Sequence, residues 1–109
     1  MLLIISKTGD NIVNIVYISG SPRKHSNTDY LLKLTLSITG GQFVKLSDYQ
    51  IELCKACWTC QKLSRCTIDD EMNNIIIPML LDSEGIVLGS SVYFNCVSAQ
   101  LKAFMDRIA

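Results

Sequence analysis

Short runs with the composition of strands alternate along the chain with longer segments whose apolar residues have helical spacing. Residues 12–19 form the first run, which ends at Gly20 and has the composition of a buried strand that leads into a loop. Residues 42–46 and 85–88 predict a second and a third strand. Because helical segments separate the three runs, the order predicts an α/β fold in which right-handed crossovers join parallel strands.

The first predicted helix covers residues 27–38 and ends at Gly40 and Gly41, since glycine is typical of a helix C-terminus. Five apolar side chains share one broad face of this helix, and we expect that face to pack on the sheet. They are Leu31, Leu34 and Ile38, joined by Leu32 and Leu36.

Two further helices are predicted in the second half of the chain. Asp69 and Asp70 can cap the earlier one. Pro78 inside it predicts a kink or an early end, because proline lacks a backbone donor and clashes with the preceding turn. Ser98 can cap the last helix. Their apolar residues at helical spacing are Met72, Ile75, Ile76, Met79 and Leu80 in the earlier helix and Leu101, Phe104, Met105 and Ile108 in the last.

Composition and charge exclude several function classes. Hydrophobic residues make up 49% of the 109 residues and charged residues 18%, which indicates a chain that folds. Ten basic and ten acidic side chains cancel, so neither a nucleic-acid partner nor a membrane-surface partner is expected. The apolar start at residues 1–5 is too short for an export signal, and residues 75–81 are too short for a membrane span. We therefore expect a cytoplasmic protein.

The loop after the first predicted strand, residues 20–28, has the chemistry of a phosphate site. It reads GSPRKHSNT and places hydroxyls, an amide and two cations at a helix N-terminus, where unpaired N–H groups and the helix dipole favour an anion. It matches neither a Walker loop nor the three-glycine dinucleotide motif, which disfavours ATP and a Rossmann-bound NAD. The alternative is an ordinary turn with Ser26 or Asn27 as the helix N-cap. We expect His25, the single histidine, to be an exposed loop residue.

Four of the five cysteines lie in one segment, residues 51–68, whose lack of a consistent period predicts a structured loop. Soft thiolates in one irregular loop suit an iron-sulfur cluster or zinc, although zinc sites more often use two separated pairs of cysteines. Thiols without metal that act in redox chemistry are the third alternative. The fifth cysteine, Cys96, stands apart and is expected to be a small buried residue. The four in the segment are Cys54, Cys57, Cys60 and Cys66.

Three motifs in collinear order resemble the NADPH-dependent FMN reductase and iron-sulfur flavoprotein group. They are the loop GSPRKHSNT at residues 20–28, the cysteine segment followed by DDEM at residues 69–72, and GSSVYF at residues 89–94 with VSAQLKAFMDR at residues 97–107. The resemblance covers about residues 12–109. It implies a flavodoxin-like three-layer sandwich with a parallel sheet.

The resemblance also implies two cofactors and the residues that hold them. One departure from the group's pattern is Ser91, where the group usually has proline. Tyr93 and Phe94 have the alternative role of core or interface aromatics. FMN would bind with its phosphate near Ser21, Arg23, Ser26, Asn27 and Thr28 and with its isoalloxazine ring beside Ser91, Val92, Tyr93 and Phe94. A 4Fe-4S cluster would be held by Cys54, Cys57, Cys60 and Cys66.

The sheet of a flavodoxin-like domain has five strands in the order 2-1-3-4-5, of which residues 12–109 supply the first three. We therefore expect the N-terminal part of an FMN-binding domain. Residues 1–11 precede it as an extension that is either an added strand or an upstream start. An unpaired edge on the third strand predicts association with a second copy or with a chain that completes the sheet.

Electron transfer is the function that the resemblance implies. FMN would accept a hydride or electrons from NAD(P)H or a redox partner and exchange single electrons with the cluster, without a catalytic side-chain acid or base. A second hypothesis is a non-catalytic remnant that keeps the front half of the fold and serves as a binding module. A third is a zinc-stabilised interaction domain without flavin.

Overall fold

A four-stranded sheet with helices on both faces forms the fold. The computed structural model describes residues 2–6 and 14–108, and the side chains of residues 14–108 only. A 3-10 turn (Leu46–Asp48) follows the third strand, and a π-helical turn (Met72–Ile76) leads directly into the third helix. The strands are β1 (Leu2–Ser6), β2 (Ile15–Ser19), β3 (Gln42–Lys45) and β4 (Gly85–Gly89). The helices are α1 (Asn27–Thr39), α2 (Thr59–Leu63), α3 (Ile77–Leu81) and α4 (Ala99–Ile108).

The strand order confirms the predicted α/β fold. Within the sheet the order is β1-β4-β2-β3, and β2 pairs in parallel with both β3 and β4. The three parallel strands thus lie in the spatial order second, first, third, as the resemblance implies. Ser19 at the end of β2 pairs with Lys45 on one side and Gly89 on the other. The carboxyl ends of all three strands therefore meet at one edge of the sheet, which is where open α/β sheets bind ligands.

The predicted unpaired edge on the third parallel strand is wrong. β1 pairs antiparallel with β4 along its whole length, from Leu2 opposite Gly89 to Ser6 opposite Gly85. Of the two alternatives for residues 1–11, the added strand is what the structure has at residues 2–6, while residues 7–11 and the first two residues of the predicted strand 12–19 lie outside the described residues. The backbone groups on that side of β4 therefore have partners.

Side chains alternate along β2 between two cores. Tyr17 faces α1 and packs with Leu32 and Val87, whereas Val16 and Ile18 face the opposite layer. The larger core, on that opposite face, contains side chains from the parallel strands, the π-helical turn, α3 and α4. Its buried members are Val16, Ile18, Val44, Leu46, Met72, Ile76, Leu80, Leu88, Leu101 and Phe104. Helices on both faces make three layers, as the family resemblance implies. No helix within the described ranges has both the length and the hydropathy to cross a membrane.

The buried face of α1 differs from the prediction. Only a narrow stripe contacts the sheet, in which Leu32 is fully buried and Leu36 partly buried. The predicted face members Leu31, Leu34 and Ile38 are exposed, Ile38 to 81%. The physical reason is close packing at one point: a Cβ on Gly89 would lie 2.9 Å from Leu32 Cδ1, so α1 sits tightly on β4 through Leu32 and turns its other apolar residues outward.

The early end predicted at Pro78 is not what the structure has, because helical backbone continues past this residue to Leu81. The π-helical turn Met72–Ile76 precedes the proline, and α3 restarts so that Pro78 lies in its first turn. A proline in the first turn of a helix removes a donor that has no intrahelical partner, which makes the position tolerant of proline. The wider π turn thus accommodates the proline without breaking the path of the chain.

Replacing residues 2–6 by five glycines should cause self-association. The expected reason is that glycine weakens a strand, so β4 presents unpaired backbone donors and acceptors at an edge. Light scattering after size exclusion would measure the change in mass. Replacing the same residues by alternating valine and threonine is the control, because the ladder is made by backbone groups and these residues favour strands. An unchanged mass for the glycine variant would contradict the assigned role of β1.

Candidate functional site

Two loops begin side by side at the carboxyl edge of the sheet. The first follows β2 and the second follows β4, and Gly20 N–H donates to the Gly89 carbonyl at 2.8 Å. Ser98, the predicted cap of α4, donates from Oγ to the Gly20 carbonyl at 2.5 Å and accepts from Leu101 N–H at 3.2 Å. A Cβ on Gly20 would lie 2.7 Å from Leu101 Cβ. Glycine is therefore required where the first loop passes the start of α4.

The predicted phosphate residues lie around the N-terminus of α1. Ser26 is the N-cap of α1, and its Oγ accepts from Asp29 N–H at 3.0 Å, a bond that leaves the hydroxyl hydrogen available to a ligand. Ser21 is buried and its Oγ accepts from Arg23 N–H at 3.4 Å. A cleft of about 370 Å³ beside the first two turns of α1 contains Ser26 and Asn27 but not the other three predicted phosphate residues. It is lined by Lys24, His25, Ser26, Asn27, Asp29, Tyr30 and Lys33. His25 is exposed, as predicted. Arg23 and Asn27 are also exposed, whereas Thr28 is half-buried.

A buried carboxylate beneath this loop was not foreseen from the sequence. Asp29, in the first turn of α1, accepts hydrogen bonds from Ser19 Oγ and Lys45 Nζ, and Lys45 also donates to the Arg23 carbonyl. Burial raises the pKa of Asp29, but the hydrogen bonds from Lys45 and Ser19 outweigh it and leave the pKa below the usual value. Because Lys45 neutralises Asp29, the exposed cations of the loop still set the charge that an anion would meet. The sequence feature that could have indicated this ion pair is Lys45 at the end of a predicted strand, together with Asp29 in the first turn of a predicted helix.

The second loop is a tight hairpin that presents apolar side chains to solvent. Two backbone hydrogen bonds join Tyr93 and Cys96, at 2.9 and 2.8 Å, and close a turn through Phe94 and Asn95. Both turn residues have left-handed backbone angles, with φ of 49° for Phe94 and 63° for Asn95. Phe94 is fully exposed, Val92 and Tyr93 are exposed, and Ser91 is half-buried. The core role considered for the two aromatics is therefore not what the structure shows.

Cys96 is exposed, so the prediction that it is buried is wrong. Its backbone pairs with Tyr93 across the hairpin, which projects from the sheet before α4 begins. The prediction assumed that a residue just before an apolar helix is buried with it. The burial of Cys96 depends instead on the hairpin to which this residue belongs.

The cysteine segment contains one short helix, α2, within the predicted loop. None of its four cysteines forms a disulfide; Cys66 is half-buried and the other three are exposed. Ala56, Trp58 and Ser64 have left-handed backbone angles, which cost free energy in residues other than glycine. Three of the four thiols, those of Cys54, Cys60 and Cys66, line one cleft of about 710 Å³.

The structure does not gather the four thiols into a preformed centre. Among residues 2–6 and 14–108, no group of three or more metal-binding side chains is close enough to hold a metal ion. Cys57 lies outside the lining of the cleft. A hydrogen bond from Thr59 lowers the pKa of the Cys57 thiol. The segment thus offers four accessible thiol ligands in an open arrangement.

A buried ion pair lies at the base of the cysteine segment. Arg107 donates to Asp70 through Nη1 at 2.8 Å and Nη2 at 3.0 Å, and both side chains are only 1% exposed. Asp70 also accepts from the backbone N–H of Glu52 at 2.8 Å and of Asn73 at 3.1 Å. Burial raises the pKa of Asp70, but the hydrogen bonds from Arg107 and these two N–H groups lower it to about 2. The predicted cap at Asp70 is confirmed by the bond to Asn73.

The partner of Asp70 was missed in the sequence, although a signal exists. Arg107 lies three residues after Phe104 and six after Leu101, so it occupies the apolar face of α4. A charged residue on the buried face of an amphipathic helix needs an opposite charge nearby. That signal indicates a buried ion pair but does not name its partner.

Comparison with known proteins gives a family and a set of relatives. Residues 13–109 match the model of the family described as NADPH-dependent FMN reductase. The chain is 38% identical over 100 residues to an iron-sulfur flavoprotein from Methanocaldococcus jannaschii, a match that covers 87% of this chain and 51% of the relative. An iron-sulfur flavoprotein from Methanosarcina thermophila is 35% identical, over 87% of this chain and 52% of the relative. One from Archaeoglobus fulgidus is 39% identical, over 85% of this chain and 49% of the relative. The chain spans about half the length of these curated relatives. No solved structure matches it.

Proposed function

Because the chain belongs to the NADPH-dependent FMN reductase family, we propose that its two adjoining loops bind FMN for electron transfer. The observation that carries the proposal is the direct contact of the loops, in which Gly20 N–H bonds to the Gly89 carbonyl. A ligand held by both loops would have its anionic end at the N-terminus of α1 and its ring near the hairpin. This is the expected location for a ligand of an open parallel sheet.

The phosphate end of FMN would be held by the first loop. Ser21, Arg23, Ser26, Asn27 and Thr28 are its proposed ligands, with backbone N–H groups of the first turn of α1. Two observations support the assignment. Arg23 is exposed and free to approach an anion, and the carboxylate of Asp29 is paired with Lys45, so it does not repel one.

The isoalloxazine ring would lie against the hairpin, beside Ser91, Val92, Tyr93 and Phe94. Apolar and aromatic side chains that face solvent at a strained turn gain most from covering a flat aromatic ligand. When bound, FMN supplies hydride and single-electron chemistry. The residues of this chain would position the ring and shield one of its faces from water. We further propose NAD(P)H or a protein redox partner as the electron source.

Comparing FMN with riboflavin separates the two ends of the site. Arg23→Ala should weaken FMN binding about tenfold or more, because one charge-assisted hydrogen bond is lost, and should leave riboflavin binding unchanged. Tyr93→Ala should weaken binding of both ligands. Quenching of flavin fluorescence during titration measures each affinity.

Lys62→Ala is the matched control for Arg23→Ala, because it removes an exposed cation far along the chain, in α2. It should leave both affinities as they are. If Arg23→Ala and Lys62→Ala had the same effect on FMN, or if Arg23→Ala weakened riboflavin equally, the phosphate assignment would be wrong.

For the cysteine segment we propose a 4Fe-4S cluster held by Cys54, Cys57, Cys60 and Cys66. The donor set fits this group chemically, since it consists of four soft thiols without disulfides. Three of them already line one cleft, and binding would require the segment to close so that Cys57 joins them. Zinc is the alternative metal for the same four thiols. Exposed cysteines also fit a reducing compartment, so we propose a cytoplasmic location.

Iron, zinc and acid-labile sulfide measured on one sample identify the metal. After anaerobic reconstitution, Cys57→Ser should lower iron and sulfide per chain, whereas Cys96→Ser should not. The two variants are matched, because both cysteines are exposed and only Cys57 belongs to the proposed ligand set. Equal losses in both variants would argue against the cluster assignment, and zinc without sulfide would favour the zinc-stabilised domain.

A further inference from the structure

The geometry assigns Arg107 as a positioning residue for Cys66, and we propose that its Nε–H donates to the Cys66 sulfur when the thiolates hold a cluster. This inference rests on the cluster site proposed above. Arg107 would not be a ligand. It would fix the base of the cysteine segment and place one hydrogen bond on one sulfur.

The guanidinium holds both ends of the cysteine segment. Its Nη1 donates to the Glu52 carbonyl at 2.8 Å, two residues before Cys54, and both terminal nitrogens donate to Asp70, four residues after Cys66. Asn73 adds a third contact, donating from Nδ2 to the Cys66 carbonyl at 2.7 Å. Because α4 carries Arg107, the position of the segment is tied to the same helix that begins at the second loop.

One donor of the buried guanidinium is left without a partner. Among the described residues, Arg107 Nε is the buried side-chain nitrogen or oxygen that has no hydrogen bond. A buried donor without a partner costs free energy and calls for an explanation. Arg107 and Cys66 line the same cleft. Asn73, which donates from Nδ2 to the Cys66 carbonyl, also donates its backbone N–H to Asp70, the partner of Arg107. Cys66 is thus the cysteine whose backbone is tied to the partner of the guanidinium, and its sulfur is the proposed acceptor for this donor.

A hydrogen bond to a cluster sulfur changes the chemistry of the cluster. Hydrogen bonds to ligand sulfurs tune reduction potential, because they stabilise the added negative charge of the reduced form. The exposed thiols of Cys54, Cys57 and Cys60 differ from Cys66, which is the half-buried member of the set. The donor would therefore act at the most protected corner of the cluster and make reduction easier.

Nitrogen-detected exchange of the Arg107 Nε–H, compared before and after the segment takes up metal, tests the contact. The resonance is identified by its loss in Arg107→Lys, which keeps a cation toward Asp70 but replaces Nε by a methylene group. Loading with iron and sulfide, or with zinc, should shift this resonance and slow its exchange with water, whereas the Nη–H groups, which already bond to Asp70 and Glu52, should change little. An Nε–H resonance that metal loading leaves unmoved would overturn the inference.

The potential of the reconstituted protein tests the consequence. Arg107→Lys should lower the reduction potential of the cluster, whereas Lys102→Met, which removes an exposed cation from the same helix, should not. An unchanged potential in Arg107→Lys would overturn the inference. If the parent protein took up no iron and sulfide, the proposed cluster would fail, and the response of the Nε–H resonance to zinc would still decide whether Arg107 faces Cys66.

Discussion

Replacing Asp70 by asparagine should lower the free energy of unfolding by about 3 to 5 kcal/mol, because it leaves the charge of buried Arg107 without compensation. The loss is large relative to the total stability of a small domain. Urea unfolding followed by circular dichroism measures it. Asp106→Asn is the matched control, since Asp106 pairs with Lys102 on the exposed side of the same helix and should change stability little. Equal losses in the two variants would show that the buried ion pair contributes no more to stability than the exposed one.

The same ion pair gives stability a defined dependence on pH. The folded pKa of Asp70 is about 2, below its usual value of 3.8, so the folded state binds this proton less readily than the unfolded state does. The contribution of ionised Asp70 to the free energy of unfolding is therefore present above about pH 4 and is lost as the pH falls toward 2. Its amplitude is about 2 kcal/mol. Asp70→Asn should remove this part of the acid dependence. Identical acid profiles for parent and variant would contradict the assigned pKa.

Gly41→Ala should cost about 3 kcal/mol or more. Gly41 has φ of +124°, and a Cβ there would lie 2.2 Å from the Ile15 carbonyl oxygen. Because that oxygen belongs to the backbone of β2, it cannot move aside without disturbing the sheet. The same urea titration measures the loss.

Gly40→Ala is the control for Gly41→Ala. Gly40 also has a positive φ, +76°, but no atom lies within 4 Å of its added Cβ. Its substitution carries backbone strain alone, about 1 to 2 kcal/mol. A loss for Gly41→Ala no larger than that for Gly40→Ala would mean that the contact with Ile15 is absent in solution.

The order of elements could be read from the sequence because its signals are local. Short apolar runs predicted the parallel strands, and Ser26 and Ser98 predicted the starts of α1 and α4. The buried stripe of α1 could not be read in this way, because apolar residues cover a broad arc and only contact with Gly89 selects Leu32. The pairing of residues 2–6 with residues 85–89 has no local signal at all, since it depends on chain segments far apart in sequence.

The candidate site divides along the same line. The location of the two loops beside each other could be predicted, because they follow β2 and β4 and parallel strands bring their carboxyl ends together. Contacts between distant segments, such as Lys45 with Asp29 and Arg107 with Asp70, depend on the completed fold. The spacing of the cysteines predicts a ligand set but not its geometry, and the structure leaves the four thiols in an open arrangement.

The visible absorption spectrum of the anaerobically purified protein, after addition of FMN and removal of the excess, tests the central claim most directly. Iron, zinc and acid-labile sulfide would be assayed on the same sample. The account predicts flavin bands in proportion to protein, over a broad iron-sulfur absorption. A colourless protein that retains neither FMN nor iron would contradict it.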